Sequence, residues 1–271
     1  MLKNSKAVAE TVAGIDFTNT VQIVAGPCAV EDRSSLLEIA HLVAENGVQL
    51  MRAGVFKPRT SPYSFQGLGE KALEFLQEAK QRYGLKVVSE ALSPEDIPVM
   101  QAVVDVLQIG SRNMFNYRLI QTAGASGKPV LLKRGMMATL DELLWSAEYA
   151  LLAGAKDMLL CERGIRTFET ATRNTLDLAA VPVLQEKTWI PVIVDPSHGT
   201  GKSHLVIPMA LAGIGAGANG IMVEVHPRPE KALSDGFQAL DFKAFERLVK
   251  EVRSLAAAMG KTTPDPDKSR T

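Results

Sequence analysis

Four side chains far apart along the chain make its most chemically pointed set: Cys28 in AGPC, His198 in DPSHGTG, Glu224 in VEVHP and Asp235 in LSDG. Together they offer sulfur, nitrogen and oxygen donors. A mixed soft and hard set suits a borderline divalent metal, Mn, Fe, Co or Zn, better than Mg or Ca. Singly each signal is weak, since a lone cysteine is more often a small hydrophobe. The glycines and prolines around GPC, DPSHGTG and VEVHPRP strengthen it by bringing backbone close about the site. Cys161, beside Glu162, reads as packing. His226 leaves capping, support and ligation open, while His41 and His204 fall on helices and read as structural.

A second set is cationic. Arg52 ends one apolar run with Lys57 just beyond it, Arg112, Lys133 and Arg163 follow or end three others, and the segment Lys57-Pro58-Arg59-Thr60 joins a stiffening proline to a planar fork and a hydroxyl. Such a combination suits a phosphate. Two groups of cations beside a metal imply one or two substrates with several anionic groups. Some of these cations are expected to pair with Glu90, Glu162 and Asp195.

Both sets need elements that bring them together. Eight short apolar, β-branched-rich runs recur: VQIVAGP from Val21, QLMRAGV from Gln49, KVVSEA from Lys86, VDVLQIG from Val104, PVLLKRG from Pro129, DMLLCERG from Asp157, PVIVDPSHG from Pro191 and GIMVEVHP from Gly220. Near-continuous apolar strands are what a parallel sheet covered on both faces requires. Between them, Ser35 with Glu38, Ser93 with Asp96 and Thr139 with Glu142 read as helix starts, and Gly47, Gly84 and Gly154 as stops. Eight strand–helix alternations predict an α/β fold, a single (β/α)₈ TIM barrel over residues 21–260. A short N-terminal extension (1–20) would cover the barrel bottom or pair with a neighbour, and 261–271 would form a flexible tail. In such a barrel the strand C-termini share one face, where active sites lie. Strand one also meets strands seven and eight there, so Cys28, His198, Glu224 and Asp235 reach a common point.

Bulk properties narrow the classes. Thirty Lys plus Arg balance thirty Asp plus Glu, so no global field draws nucleic acid or an anionic membrane. No run of about 18 apolar residues predicts a spanning helix, no secretory h-region opens the chain, and two unpaired cysteines fit a reducing cytoplasm. Two motifs mislead. SHGTGKS has Pro196 where a phosphate loop needs its first glycine, and GAGANG precedes a strand instead of following one.

Taken together, AGPCAVE, RAGVFKPRTSPYSFQGLG, LLKRGM, CERGIRTFE with TRNTLDL, DPSHGTG and VEVHPRPEKALSDG resemble the 3-deoxy-D-arabino-heptulosonate 7-phosphate synthases, in their short form related to the octulosonate-phosphate synthases. The resemblance runs from about Val21 to Asp241. It implies a transferase of aromatic biosynthesis that condenses phosphoenolpyruvate with erythrose 4-phosphate at a divalent metal on Cys28, His198, Glu224 and Asp235. Phosphoenolpyruvate would lie on Arg52, Lys57, Arg112, Lys133 and Arg163 near Gly110 and Ser111. Arg59 and Thr60 would take the aldehyde's phosphate, assisted by Arg166. Lys57 would protonate the new alkoxide, and Glu162 or His198 would steer the water. A homo-oligomer, tetramer or dimer, is also implied. Some relatives carry an N-terminal regulatory domain, whereas this chain begins almost at strand one. The rival readings are an octulosonate-phosphate synthase using arabinose 5-phosphate, disfavoured by KPRT, and a non-catalytic phospho-ligand-binding barrel.

Overall fold

The computed structural model describes residues 11–57 and 61–264. A hairpin of β1 (Thr11–Val12) and β2 (Ile15–Asp16) precedes eight parallel strands. These are β3 (Gln22–Gly26), β4 (Leu50–Arg52), β5 (Lys86–Ala91), β6 (Val106–Ile109), β7 (Val130–Lys133), β8 (Met158–Glu162), β9 (Val192–Val194) and β10 (Gly220–Glu224). Each pairs with the next, and β10 pairs back onto β3 with Gly220 opposite Gln22 and Glu224 opposite Gly26, closing the barrel. The predicted (β/α)₈ architecture is therefore the observed one.

Helices fill the crossovers: α1 (Arg33–Glu45), α2 (Glu70–Tyr83), α3 (Asp96–Met100), α4 (Tyr117–Ala125), α5 (Leu140–Leu152) and α6 (Ala180–Lys187), then α7 (Pro196–Thr200), α8 (Ser203–Gly215) and α9 (Phe242–Ala258). Thr139 and Glu142 cap α5 reciprocally, as their spacing predicts. At α1 the cap is instead Asp32, whose carboxylate takes the Ser35 N–H. Asp at this position is as good a cap as Ser and stands one turn earlier. At α3 the expected serine cap gives way to Asp96, which reaches back to the N–H groups of Leu92 and Ser93. Gly84 ends α2 in the left-handed region, at φ 68°.

Period-two alternation sorts every strand. Ile23, Met51, Val87, Leu107, Val130, Leu160, Val192 and Ile221 belong to the large core shared with the helices. Val24, Leu50, Val88, Val106, Leu131, Leu159, Ile193 and Met222 form a separate interior layer. Val12, Ile15 and Phe17 join this interior layer, and Phe17 and Asp16 carbonyls accept bonds from Asn219 and Gln22 near the strand starts. The hairpin thus plugs the N-terminal end. Thr262 lies beside Thr20 and accepts the Val21 N–H, so the start of the expected tail is docked; residues 265–271 lie outside those described.

With its bottom plugged and its centre packed, the barrel of the described residues opens at the strand C-termini. Continuing the interior alternation two residues along each strand leads from Leu50 to Arg52, Val88 to Glu90, Val106 to Gln108, Leu131 to Lys133, Ile193 to Asp195 and Met222 to Glu224. One inward-facing ring is apolar, and the next is polar or charged on all strands but β3 and β8, where it falls on Gly26 and Cys161.

Candidate active site

Cys28, His198, Glu224 and Asp235 converge, each offering a ligand atom within 4.8 Å of the others. Cys28 follows β3, Glu224 ends β10, and His198 sits in α7 just after β9. Asp235 stands in the long loop after β10, held in the left-handed region at φ 51°, a conformation that costs a non-glycine residue on the order of 1–3 kcal/mol. The surrounding bonds fix the loop: Ser234 Oγ and Asp235 Oδ2 each lie 3.3 Å from Cys28 Sγ.

Hydrogen bonding fixes the donors' orientation. His198 Nδ1 lies 2.8 Å from Asp195 Oδ2. An ionised carboxylate only accepts, so Nδ1 carries the proton and Nε2 presents a lone pair. That lone pair lies 3.2 Å from Glu224 Oε1, an oxygen with no hydrogen-bond partner. Arg52 Nη1 is 3.1 Å from the same oxygen, yet it too is without a hydrogen bond. Two facing acceptors beside a thiol and a second carboxylate fit a cation. Burial pushes the His198 imidazole down to about 4 despite Asp195 and Glu224, which keeps it neutral, as a ligand must be. Burial, with Glu224 nearby, pushes the Cys28 thiol up to about 12. Burial opposes the charge on Asp235, but Lys57 and Arg173 hold its carboxyl well below the usual range.

The anionic half of the chemistry has its counterpart in the same mouth, a cavity of about 320 Å³. Arg52, Lys57, Glu90, Gly110, Ser111, Arg112, Lys133, Arg163, Arg173, His198 and Asp235 are among the residues that line it. Lys133 is held by Asp195 at 2.5 Å. Arg163 is 5% exposed and makes no ion pair with a described carboxylate; its one recorded hydrogen bond is to the Gly164 carbonyl, at 3.5 Å. Burial lowers its pKa. Asp195 and Glu162 offset part of that burial through space, but a buried cation with no carboxylate bonded to it is costly unless an anion completes the site.

Of the residues singled out in the sequence, Arg52, Lys57, Gly110, Ser111, Arg112, Lys133, Arg163, His198 and Asp235 therefore share one opening. Cys28 and Glu224 join them through the donor cluster. Arg59 and Thr60 lie outside the described residues. Arg166 is exposed and does not line the mouth itself, although its N–H donates to the carbonyl of Met136, which does. Glu162, one of the two candidates to steer the water, does not line the opening. It is one residue out of the inward alternation, so its buried carboxylate takes the Gly164 N–H at 2.6 Å and the Arg134 guanidinium at 2.9 Å. Besides Asp235, the carboxylate that lines the opening is Glu90, which accepts from Gln108 Nε2 at 3.1 Å. His226 is not in the donor cluster; its Nδ1 accepts the Arg228 N–H.

Two further residues escaped sequence reasoning. Gln238, fully buried, donates to Glu224 Oε2 at 2.7 Å and accepts from Arg173 Nη1 at 2.9 Å. The signal for Arg173 was its place in TRNTLDL; nothing in the spacing marked Gln238.

Known proteins share this arrangement of the chain. It is 57% identical over 238 residues to the phospho-2-dehydro-3-deoxyheptonate aldolase of Thermotoga maritima, a match covering 88% of this chain and 70% of that protein. The crystal structure of that organism's DAHP synthase superposes with a TM-score of 0.89 at 55% identity, covering 91% of this chain and 72% of the other. A truncated form of the Thermotoga enzyme gives a TM-score of 0.85 at 51% identity, covering 91% and 90%. The 2-dehydro-3-deoxyphosphooctonate aldolase of Aromatoleum aromaticum is 32% identical over 263 residues, covering 88% and 92%. The model of the DAHP synthetase I family matches residues 6–259, and the chain belongs to that family.

Proposed function

We propose that the barrel mouth condenses phosphoenolpyruvate with erythrose 4-phosphate, making 3-deoxy-D-arabino-heptulosonate 7-phosphate and releasing phosphate. This is the first step of the shikimate pathway. The observation that carries the reading is the meeting, in one cavity, of a four-donor cation cluster with a buried Arg163 that no described carboxylate bonds directly. The greater identity to the heptonate enzyme, 57% against 32%, favours the four-carbon aldehyde over arabinose 5-phosphate. An intact donor set and cation ring also favour a catalyst over a non-catalytic phospho-ligand barrel.

Phosphoenolpyruvate carries a carboxylate and a phosphate. Arg163, Lys133, Arg112 and Arg52 would neutralise and orient it, with the Gly110–Ser111 backbone alongside, so that its C3 faces the aldehyde. The aldehyde would occupy the side of Lys57 and Asp235, its phosphate directed to the Arg59–Thr60 segment. A divalent ion, Mn, Fe, Co or Zn, held by Cys28, His198, Glu224 and Asp235 would supply Lewis-acid polarisation of the aldehyde oxygen. The C3 electron pair attacks the aldehyde carbon, and Lys57 gives a proton to the resulting alkoxide. C2, left electron-poor, takes up water; one water proton leaves, and the hemiketal then expels phosphate to give the ketone. Glu90 replaces Glu162 as the carboxylate placed to orient that water, with His198 committed to the cation.

The reading includes a cytoplasmic homo-oligomer, tetramer or dimer, and no nucleic-acid or membrane partner. No described helix is long and apolar enough to cross a membrane. Phosphate release from phosphoenolpyruvate, measured with each sugar phosphate and with or without a chelator, tests the assignment. Chelator-sensitive release with erythrose 4-phosphate is expected. Faster release with arabinose 5-phosphate would transfer the protein to the rival activity, and none with either would remove the catalytic reading.

A further inference from the structure

We infer that Glu31 is a positioning residue for the cation site: its carboxylate ties the loop carrying Cys28 to the loop carrying Asp235 and so sets the distance between those two donors. The inference rests on the metal reading above but concerns a residue that touches neither the cation nor a substrate.

Glu31 stands three residues after Cys28, in the turn between β3 and α1. Its side chain is 11% exposed and spans to the far loop. There Oε1 accepts the Leu233 N–H at 2.8 Å, and Oε2 lies 3.4 Å from His226 Nε2. Because His226 Nδ1 already accepts the Arg228 N–H at 3.1 Å, the ring proton sits on Nε2, which stands beside Glu31 without a formed hydrogen bond. One carboxylate thus meets both ends of the segment from His226 to Leu233. The next two residues are the ones that meet the thiol: Ser234 Oγ and Asp235 Oδ2, each 3.3 Å from Cys28 Sγ.

The rest of the loop offers a reason for such a tie. Its base is closed by the His226 N–H bonding to the Leu240 carbonyl and by the Leu240 N–H bonding to Glu224. Between those closures the chain makes only short 3₁₀ turns, Pro229–Lys231 and Gly236–Gln238, and Leu233 is 55% exposed. Buried Gln238 anchors the second turn, but the first buries no residue, and exposed 3₁₀ turns are weakly held. Without Glu31 the Leu233 amide could turn to water, at little cost to folding but with loss of the orientation it gives Asp235. Supporting contacts of this kind change metal affinity by about 10–100-fold.

Apo-protein titrated with Co(II) against a competing chelator, read by the thiolate-to-cobalt absorption band, tests the inference. Glu31→Ala should bind Co(II) about tenfold or more weakly than the unmodified protein. Glu31→Gln keeps the reach and an acceptor for Leu233, and should stay within about threefold. Turnover of Glu31→Ala should recover at saturating cobalt, because no substrate contact is lost. If Glu31→Ala folds poorly by circular dichroism, Glu31→Asp serves in its place, since it keeps the charge but is one methylene short; it should bind as weakly as predicted for alanine. Unchanged cobalt affinity in Glu31→Ala or Glu31→Asp would overturn the positioning role while leaving the metal site standing. Absence of the cobalt band in the unmodified protein would instead remove the metal site itself, and this inference with it.

Discussion

Lys57 Nζ lies 2.6 Å from Cys28 Sγ and 3.3 Å from Asp235 Oδ2, so one ammonium touches two of the four proposed cation donors. Burial works against its charge, but Cys28, Glu224 and Asp235 together raise its pKa. A cation placed among these donors competes with that ammonium for them. This relationship links metal loading to protons and to the position of Lys57.

The pH dependence follows in sign. The Cys28 thiol, at about 12 through burial and then Glu224, is protonated at neutral pH, whereas His198, at about 4, is already neutral. Asp235 is already ionised. Metal uptake should therefore expel about one proton, from Cys28, and apparent affinity should rise about tenfold per pH unit between about pH 6 and 9. Calorimetry in buffers of different ionisation enthalpy measures this directly; no net proton release would contradict thiolate ligation.

The two carboxylates Glu90 and Glu162 should separate cleanly. Glu162→Gln weakens a buried bond to Arg134, which keeps the Asp177 carboxylate at 2.8 Å and the Ala138 carbonyl at 2.9 Å. The expected cost is about 1.5–3 kcal/mol of stability, read by denaturant melts, with turnover of the folded fraction nearly unchanged. Glu90→Gln should leave stability almost intact and lower kcat by about 10²–10⁴-fold. The opposite pattern would return the chemistry to Glu162.

Gly110 offers a second route to Glu90. Its backbone, at φ −71° and ψ 161°, suits any residue. A Cβ there would sit 1.9 Å from Glu90 Oε1 and 2.7 Å from its Cδ. Gly110→Ala must therefore displace the carboxylate instead of straining the chain. We expect kcat to fall at least about tenfold, the lower reach of general acid–base effects, with a melting temperature close to that of the unmodified protein. Full activity would show that Glu90 has no fixed duty.

How far the sequence foretold this site depends on which regularity carried each residue. The eight apolar runs announced the barrel, because a parallel sheet buried on both faces leaves little room for polar residues until its strands end. Arg52, Lys133 and Glu224 were visible as the charges that break those runs. Glu162 misled because attention to strand ends ignored alternation: Leu159, Cys161 and Arg163 are on the inward parity, and Glu162 falls between them. Cys161 sits within the interior layer, as its reading as a packing residue expected. Glu31 and Gln238 could not be found this way. Their importance lies in contacts between loops after β3, β8 and β10, which no local spacing encodes.

Gln238 shows what such a contact is worth. It is fully buried, it donates at 2.7 Å to Glu224 Oε2, and it is itself held by Arg173. That bond occupies Oε2 and leaves Oε1 turned toward His198. Gln238→Leu conserves much of the volume but strips a buried carboxylate oxygen of its donor, at a cost of about 1–3 kcal/mol. With Oε2 unheld, the Glu224 carboxylate would be free to rotate and carry Oε1 away from His198. Metal affinity should drop about 10–100-fold, and because metal binds only the folded chain, added metal should raise the melting temperature less than in the unmodified protein at equal concentration. Thermal melts over a metal titration separate the two effects. An equal metal-induced shift would mean that Glu224 is oriented by Arg52 alone.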